Sequence, residues 1–257
     1  MNRTKIEWSD GTLNPQGWGC WGPGGTPEEP RRCWYCYLKR LQKWTGSKCE
    51  LCQQLIPHWH EDRIYKPLHW HKPRRIFWGS TGDLFHPFTP ENYINAVLQI
   101  VNRCPQHTHI FCTKNPARYR DFNPWPANCI LLTTITNQKD ADERIPELLR
   151  AQARVRGVSH KPLLGEIDLS RWIRPLICSQ CGQKWEDRAC GPTHALLANE
   201  SASLLNWGII GGMTGPGAVK PEPEWVQDLV NQYRAAGTSI FLKDNLRWPE
   251  KIQEWPD

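Results

Sequence analysis

Three cysteines, Cys20, Cys33 and Cys36, lie in the stretch GCWGPGGTPEEPRRCWYCYLKR, residues 19–40, the last two framed as Cys33-Trp34-Tyr35-Cys36. A structural zinc ion usually takes four protein ligands, whereas an iron–sulfur cluster held by three cysteines leaves one iron open. Three soft thiolates here would hold three corners of a 4Fe-4S cluster and leave the fourth iron for a bidentate small molecule. Twelve residues separate Cys20 from Cys33, many of them Gly and Pro. Loop-closure entropy grows only slowly with length, so such a loop can return Cys20 to the pair.

Two further stretches carry Cys-x-x-Cys pairs and read as loop insertions: residues 46–62, GSKCELCQQLIPHWHED, and residues 165–203, around LICSQCGQKWEDRACGPTHA. Both suggest zinc. One arrangement closes a single four-thiolate site from Cys49, Cys52, Cys178 and Cys181. The other makes two local sites, with His58 or His60 completing the first and Cys190 and His194 the second. Cys104, Cys112 and Cys129 sit in helical or strand patterns and read as buried apolar thiols.

The elements that must position these groups alternate in the manner of β-α units with a parallel sheet. Short apolar or β-branched runs fall at residues 74–80, 109–114, 129–136, 154–159, 206–212 and 239–243. Between them, TPENYINAVLQIVNRC opens with Thr89 as N-cap and Pro90 in the first turn, and places Tyr93, Ile94, Val97, Leu98 and Val101 on one face. DADERIPELLRAQ and EPEWVQDLVNQYRAAG behave likewise, the second ending at Gly237 as a helix C-terminus favours. The pattern predicts an α/β fold, an incomplete parallel (β/α) barrel, in which chemistry belongs to the loops at the C-terminal ends of the strands. Polar groups recur there: Thr113 and Lys114, Asn137 and Gln138, His160 and Lys161, Lys243 and Asp244. Lys114 and Lys243 are candidates for holding a carboxylate or phosphate, and His160 joins them as a candidate catalytic group. Arg74, Arg75 and nearby tryptophans would extend a cationic rim suited to an anionic polymer.

The 257 residues are enough for a core that needs no disulfide staples, which leaves eleven cysteines surplus to folding. No signal-type run opens the sequence, and no segment approaches the roughly 20 apolar residues that span a bilayer. The expectation is a soluble cytoplasmic protein with no membrane partner, whose clustered cysteines bind metal. The net charge is +6 and there are fifteen tryptophans. RRCWYCYLKRLQKW and RIYKPLHWHKPRR mix cations with aromatics, which suits nucleic acid, although a solvated basic face over a tryptophan-rich core has the same composition.

TKIEWSDGTLNP, CWYCY, KPLHWHKPRRIFWGSTGDLFH, DADERIPELL, KPLLGEIDL and GIIGGMTGPGA together resemble the phage-associated three-cysteine-motif family, a domain of unknown function related to radical S-adenosylmethionine enzymes. The resemblance runs from residue 4 to residue 243. It implies one barrel domain over residues 1–257, of the radical S-adenosylmethionine type, which the insertions at residues 46–62 and 165–203, read above from their own residues as zinc-binding, interrupt. It makes Cys20, Cys33 and Cys36 the cluster ligands and places Tyr35 near the adenine of S-adenosylmethionine. In such barrels a glycine-containing turn after the second strand binds the cofactor's amino group, a role that would fall to Gly79, Ser80, Gly82 and Asp83. A plain strand-to-helix turn uses the same residues. Two departures stand out: Lys161 and Met213 occupy places where the family is expected to carry acids.

The leading expectation is therefore an enzyme that uses a 4Fe-4S cluster and S-adenosylmethionine to generate a 5′-deoxyadenosyl radical, with nucleic acid as the substrate to modify or repair. The alternative is a non-catalytic zinc or iron–sulfur nucleic-acid-binding protein. A third reading keeps the barrel as a subunit dependent on a protein partner encoded nearby.

Overall fold

The computed structural model describes residues 4–41, 49–173, 204–215 and 217–256. Seven strands form one sheet in sequence order: β1 (Gly11–Leu13), β2 (Arg75–Trp78), β3 (Thr108–Thr113), β4 (Cys129–Thr134), β5 (Val155–His160), β6 (Trp207–Ile210) and β7 (Ser239–Leu242). Every neighbouring pair is parallel. The sheet curls into a half-barrel, the incomplete α/β barrel that the alternating pattern predicts. Helices α1 (Tyr37–Leu41), α2 (Glu50–Gln53), α3 (Glu91–Arg103), α4 (Gln138–Leu149) and α5 (Pro223–Ala235) complete the regular elements used below.

Side chains alternate along each strand, so residue parity decides which face a group serves. Ile76, Trp78, Phe111, Leu131, Val158, Ile210, Ile240 and Leu242 pack outward with the apolar stripes of α3, α4 and α5. Phe77, Ile110, Ile130, Leu132, Trp207, Ile209 and Phe241 face the concave side. There Trp8 fills the base of the lumen, its ring 4.6 Å from Phe77 and 6.1 Å from Trp207. The C-terminal segment seals the same end, where Trp255 packs 5.1 Å from Phe241 and lies under the Arg75 guanidinium at 4.1 Å.

Helix ends follow local chemistry. Asn137 caps α4 by accepting from the Asp140 amide at 3.0 Å. Gly237 follows α5 with φ of +62°, the left-handed conformation that glycine adopts freely. At α3 the expected Thr89 cap is not used: the N-cap is Pro90, which has no side-chain oxygen to offer. Strand β1 has no β-branched run to announce it, and only its pairing with β2 makes it a strand.

Candidate metal centres and barrel mouth

The most compact chemical cluster comes from the first insertion. Cys49, Cys52, His58 and His60 bring four ligand atoms within 4.8 Å of one another. The short helix α2 carries the cysteines one turn apart, and the extended Pro57–His60 stretch returns the imidazoles. His58 Nε2 lies 3.2 Å from Cys49 Sγ, 3.5 Å from Cys52 Sγ and 2.7 Å from His60 Nε2. Cys52 Sγ is 3.4 Å from His60 Nε2. His58 Nδ1 bonds the Ile56 carbonyl at 2.7 Å, which fixes its proton there and leaves Nε2 as a lone-pair donor. Burial, then Arg63 and His58, lower the His60 pKa and favour its neutral, ligating form. Two thiols and two imidazoles so arranged can bind a metal such as zinc, and both histidines are available where the spacing required only one. Cys178, Cys181, Cys190 and His194 lie outside the described residues.

This knot leans on the loop that leaves β1. His60 N–H donates to Pro15 O at 2.6 Å and Arg63 to Asn14 O at 3.0 Å. A Cβ on Gly17 would sit 2.5 Å from His58 Cε1, so the loop touches the imidazole directly.

Cys20, at the end of that loop, is returned to Cys33 by a backbone pinch. Arg31 N–H donates to Trp21 O at 2.7 Å, and Gly22, with φ of +85°, packs against the Arg31 carbonyl where no side chain would fit. Arg32 then straps both centres: Nε donates to Cys20 O at 3.0 Å and Nη2 to Leu55 O at 2.9 Å. The Gly22 amide donates to Cys20 Sγ at 3.2 Å. Burial, then Asp83, push the Cys20 thiol up to about 12, against the lowering pull of Lys114.

Lys114, just past β3, is the hub of this region. Burial alone would lower its pKa, but Cys33, Tyr35, Cys20 and Asp83 around it outweigh burial and raise it above the usual lysine range. Its Nζ lies 5.8 Å from the Tyr35 ring centroid. Tyr37 keeps part of its surface exposed, yet burial raises its pKa, in a setting shared with Lys114, Cys36, Cys20 and Cys112. Cys20, Cys33 and Cys112 thus share the surroundings of one ammonium. Cys112 corrects its reading as an ordinary core thiol. It has the strand parity of Lys114, faces the lumen, and lies 3.4 Å from Thr134 Oγ1. Its position two residues before Lys114 is the signal that places it there.

The turn after β2 has a structural occupation. Asp83 accepts from Thr113 Oγ1 at 2.6 Å, Lys114 N at 3.1 Å, Asn115 Nδ2 at 3.0 Å and Phe85 N at 3.1 Å. Ser80 donates to Asn14 Oδ1 at 3.0 Å. Positions next to the α-carbons of Gly79 and Gly82 are filled by Gln16, whose buried amide has no hydrogen-bond partner.

Other expected mouth residues are buried, already paired, or at the far end of the sheet. His160 is fully buried and faces outward, its Nε2 2.7 Å from the Tyr233 hydroxyl of α5, and burial lowers its pKa to about 3. Gly208 permits this contact, because any side chain there would enter the Tyr233 ring. Lys243 is 4% exposed and already paired with Glu7 at 2.7 Å. Arg74 and Arg75 enter β2 at its start, the end of the sheet opposite the mouth, where they cover Trp70 at 4.9 Å and Trp255 at 4.1 Å. Of the cationic set expected at strand ends, Lys114, Lys161 and Lys243 reach the lumen, whereas His160, Arg74 and Arg75 do not. A groove of about 610 Å³ beside Lys114 instead presents both signs, including Arg118, Arg120, Glu91, Glu143 and Glu147.

A family described as "Protein of unknown function (DUF5131)" matches residues 3–254. The chain belongs to the DUF5131 family. No curated protein and no solved structure matches it. The DUF5131 description names no reaction and no phage, so any chemistry for this member has to be argued from its own residues. No helix among the described residues is long and apolar enough to cross a membrane.

Proposed function

We propose that this DUF5131 protein is a radical S-adenosylmethionine enzyme whose Cys20, Cys33 and Cys36 hold a 4Fe-4S cluster, with structural zinc on Cys49, Cys52, His58 and His60. The observation that carries the reading is that Cys20 and Cys33, from the two ends of one loop, share the surroundings of Lys114 at the C-terminal ends of parallel strands, with Cys36 beside Tyr37. Their thiols do not form a tight four-donor knot, which suits a cluster that spreads its ligands over several irons. When bound, the cluster would supply one electron to S-adenosylmethionine, and the resulting 5′-deoxyadenosyl radical would take hydrogen from a substrate.

The chain's own groups supply the setting. Lys114 offsets the negative charge of the thiolates, and the Gly22 amide donates to Cys20 sulfur. Asp83 fixes the β3 end that carries Lys114. Trp34, 66% exposed between Cys33 and Tyr35, offers a stacking face at the mouth. With Lys243 paired to Glu7 and Arg74 and Arg75 at the far end of the sheet, this favours a flat ring such as a nucleic-acid base over recognition of a long phosphate backbone.

The test is anaerobic reconstitution with iron and sulfide, followed by reductant and S-adenosylmethionine. The expected outcome is a brown protein that releases 5′-deoxyadenosine. A protein that takes up zinc alone and stays colourless would return the chain to the non-catalytic zinc reading.

A further inference from the structure

The lumen has a second polar pole on the β5–β7 side, across the sheet from the strands that carry the cysteines. Lys161 follows His160, and since His160 faces α5, strand alternation turns Lys161 into the concavity. Lys243 enters the same space after β7. Gly211 separates them: a Cβ there would lie 2.8 Å from Lys243 Cδ and 3.4 Å from Lys161 Cγ, so the two stems run side by side over a residue with no side chain.

Their charges are not treated alike. Glu7 Oε1 accepts from Lys243 Nζ at 2.7 Å, and Oε2 accepts from the Asp244 amide at 2.8 Å, so both oxygens are engaged. Among the described residues no hydrogen bond or ion pair reaches Lys161 Nζ. On the β6 side it faces the backbone of Gly211 and Gly212, the latter closed off by Asn245 Nδ2 donating to Gly212 O at 2.7 Å. A half-buried amine beside a paired ammonium, with no acid of its own, is the arrangement that activates a lysine as a nucleophile.

We propose that Lys161 is a reactive amine of this chain that forms an imine with an aldehyde or ketone admitted to the lumen. The Nζ lone pair attacks the carbonyl carbon and a C–N bond forms. The carbonyl oxygen is protonated and leaves as water while the nitrogen loses its protons to give C=N. No oxidant or reductant is consumed. Burial, then Lys243, lower the Lys161 pKa to about 8 against the opposing effect of Glu7. The fraction of free amine near neutral pH is then on the order of 300-fold above that of an ordinary lysine. The inference needs neither metal centre and stands or falls apart from the radical reading.

The experiment treats the whole zinc-loaded protein with glyoxylate and cyanoborohydride near neutral pH and maps the reduced adducts by peptide mass spectrometry. Lys161 is expected to label at least about tenfold faster than the average of the other lysines. Lys161→Arg removes the fast adduct, Lys243→Met slows labelling at Lys161 by leaving Glu7 to pair with it, and Glu7→Gln speeds it. Lys161 labelling no faster than the surface lysines overturns the proposal, as does a Lys161 rate unmoved by both neighbouring substitutions. Because the wild-type map identifies the residue, the result holds even where a variant fails to fold.

Discussion

Cys49, Cys52, His58 and His60 close on one another within 4.8 Å, whereas Cys20 and Cys33 lie about the Lys114 ammonium, with Cys36 beside Tyr37, and form no such closed set. The first set is complete in itself: four donors, one imidazole proton already assigned to a backbone carbonyl, and no free position for a substrate. The second is incomplete, and its thiols share their surroundings with a lysine, two tyrosines and a lumen-facing cysteine. Both hang on the same short loop after β1, which the Arg32 guanidinium straps to the metal knot. The same residue type thus serves two ends, and closure distinguishes them: a closed set stabilises a loop, an open one leaves room for chemistry.

The sharpest way to break the comparison is to remove one thiol from each side. Cys33→Ala should abolish all bound iron and its chromophore while zinc stays near one per chain, measured by elemental analysis and visible absorption. Iron uptake unchanged by this substitution would remove the open centre altogether.

Cys52→Ala should do the opposite. Zinc is lost, and since metal binding is coupled to local folding, the insertion loosens at a cost of several kcal/mol, on the order of 3–5, seen in chemical denaturation. If the loop after β1 depends on the knot, amide exchange over residues 14–20 should quicken in the same variant.

Arg32→Ala tests the strap between them. Its two bonds to the carbonyls of Cys20 and Leu55 involve a charged donor, so their loss should cost about 2 kcal/mol. Zinc content should not change, while iron reconstitution slows because Cys20 is no longer pinned. Equal loss of both metals would show that the two centres are one unit.

How much of this could be read from the sequence depends on whether the information is local. The strand runs from residue 74 on are short and apolar or β-branched, and each became a strand within a few residues of its expected bounds. The compact metal site was legible because its four ligands fall within residues 49–60. The mouth was less so. Strand ends name the residues that reach it, but parity names the face: Lys114 and Lys161 turn inward while His160, one position off, is buried against Tyr233. Arg74 and Arg75 open the strand run at residue 74, so the parallel sheet already expected puts them at the end opposite the mouth, and the cationic composition alone misled their placement. The partners that neutralise Lys243 and hold Cys20, Glu7 and Arg32, act across loops and leave no periodic trace.

Acid provides the mildest test, since it should act on the scaffold and not on the contrast between the two centres. His160 and His109 are buried, and burial lowers their pKa values to about 3 and about 4. Each is neutral in the fold, while the unfolded chain takes up a proton below its ordinary value of about 6.5. Their contribution to stability is therefore fully present above pH 6.5 and is lost as the pH falls toward the folded values, by up to about 1.4 kcal/mol per pH unit for each group. His160→Gln keeps an acceptor for the Tyr233 hydroxyl and removes the titration. It should flatten the acid slope by up to that amount, with His109 still titrating. Zinc release also responds to acid, so the measurement is made in the zinc-loaded wild-type and in the zinc-free Cys52→Ala background, each with and without His160→Gln. The same flattening in both zinc-free and zinc-loaded backgrounds assigns the effect to the outer core. A flattening confined to the zinc-loaded protein would mean that the knot and the sheet titrate together, and that the closed centre reaches further into the fold than its contacts with the β1 loop imply.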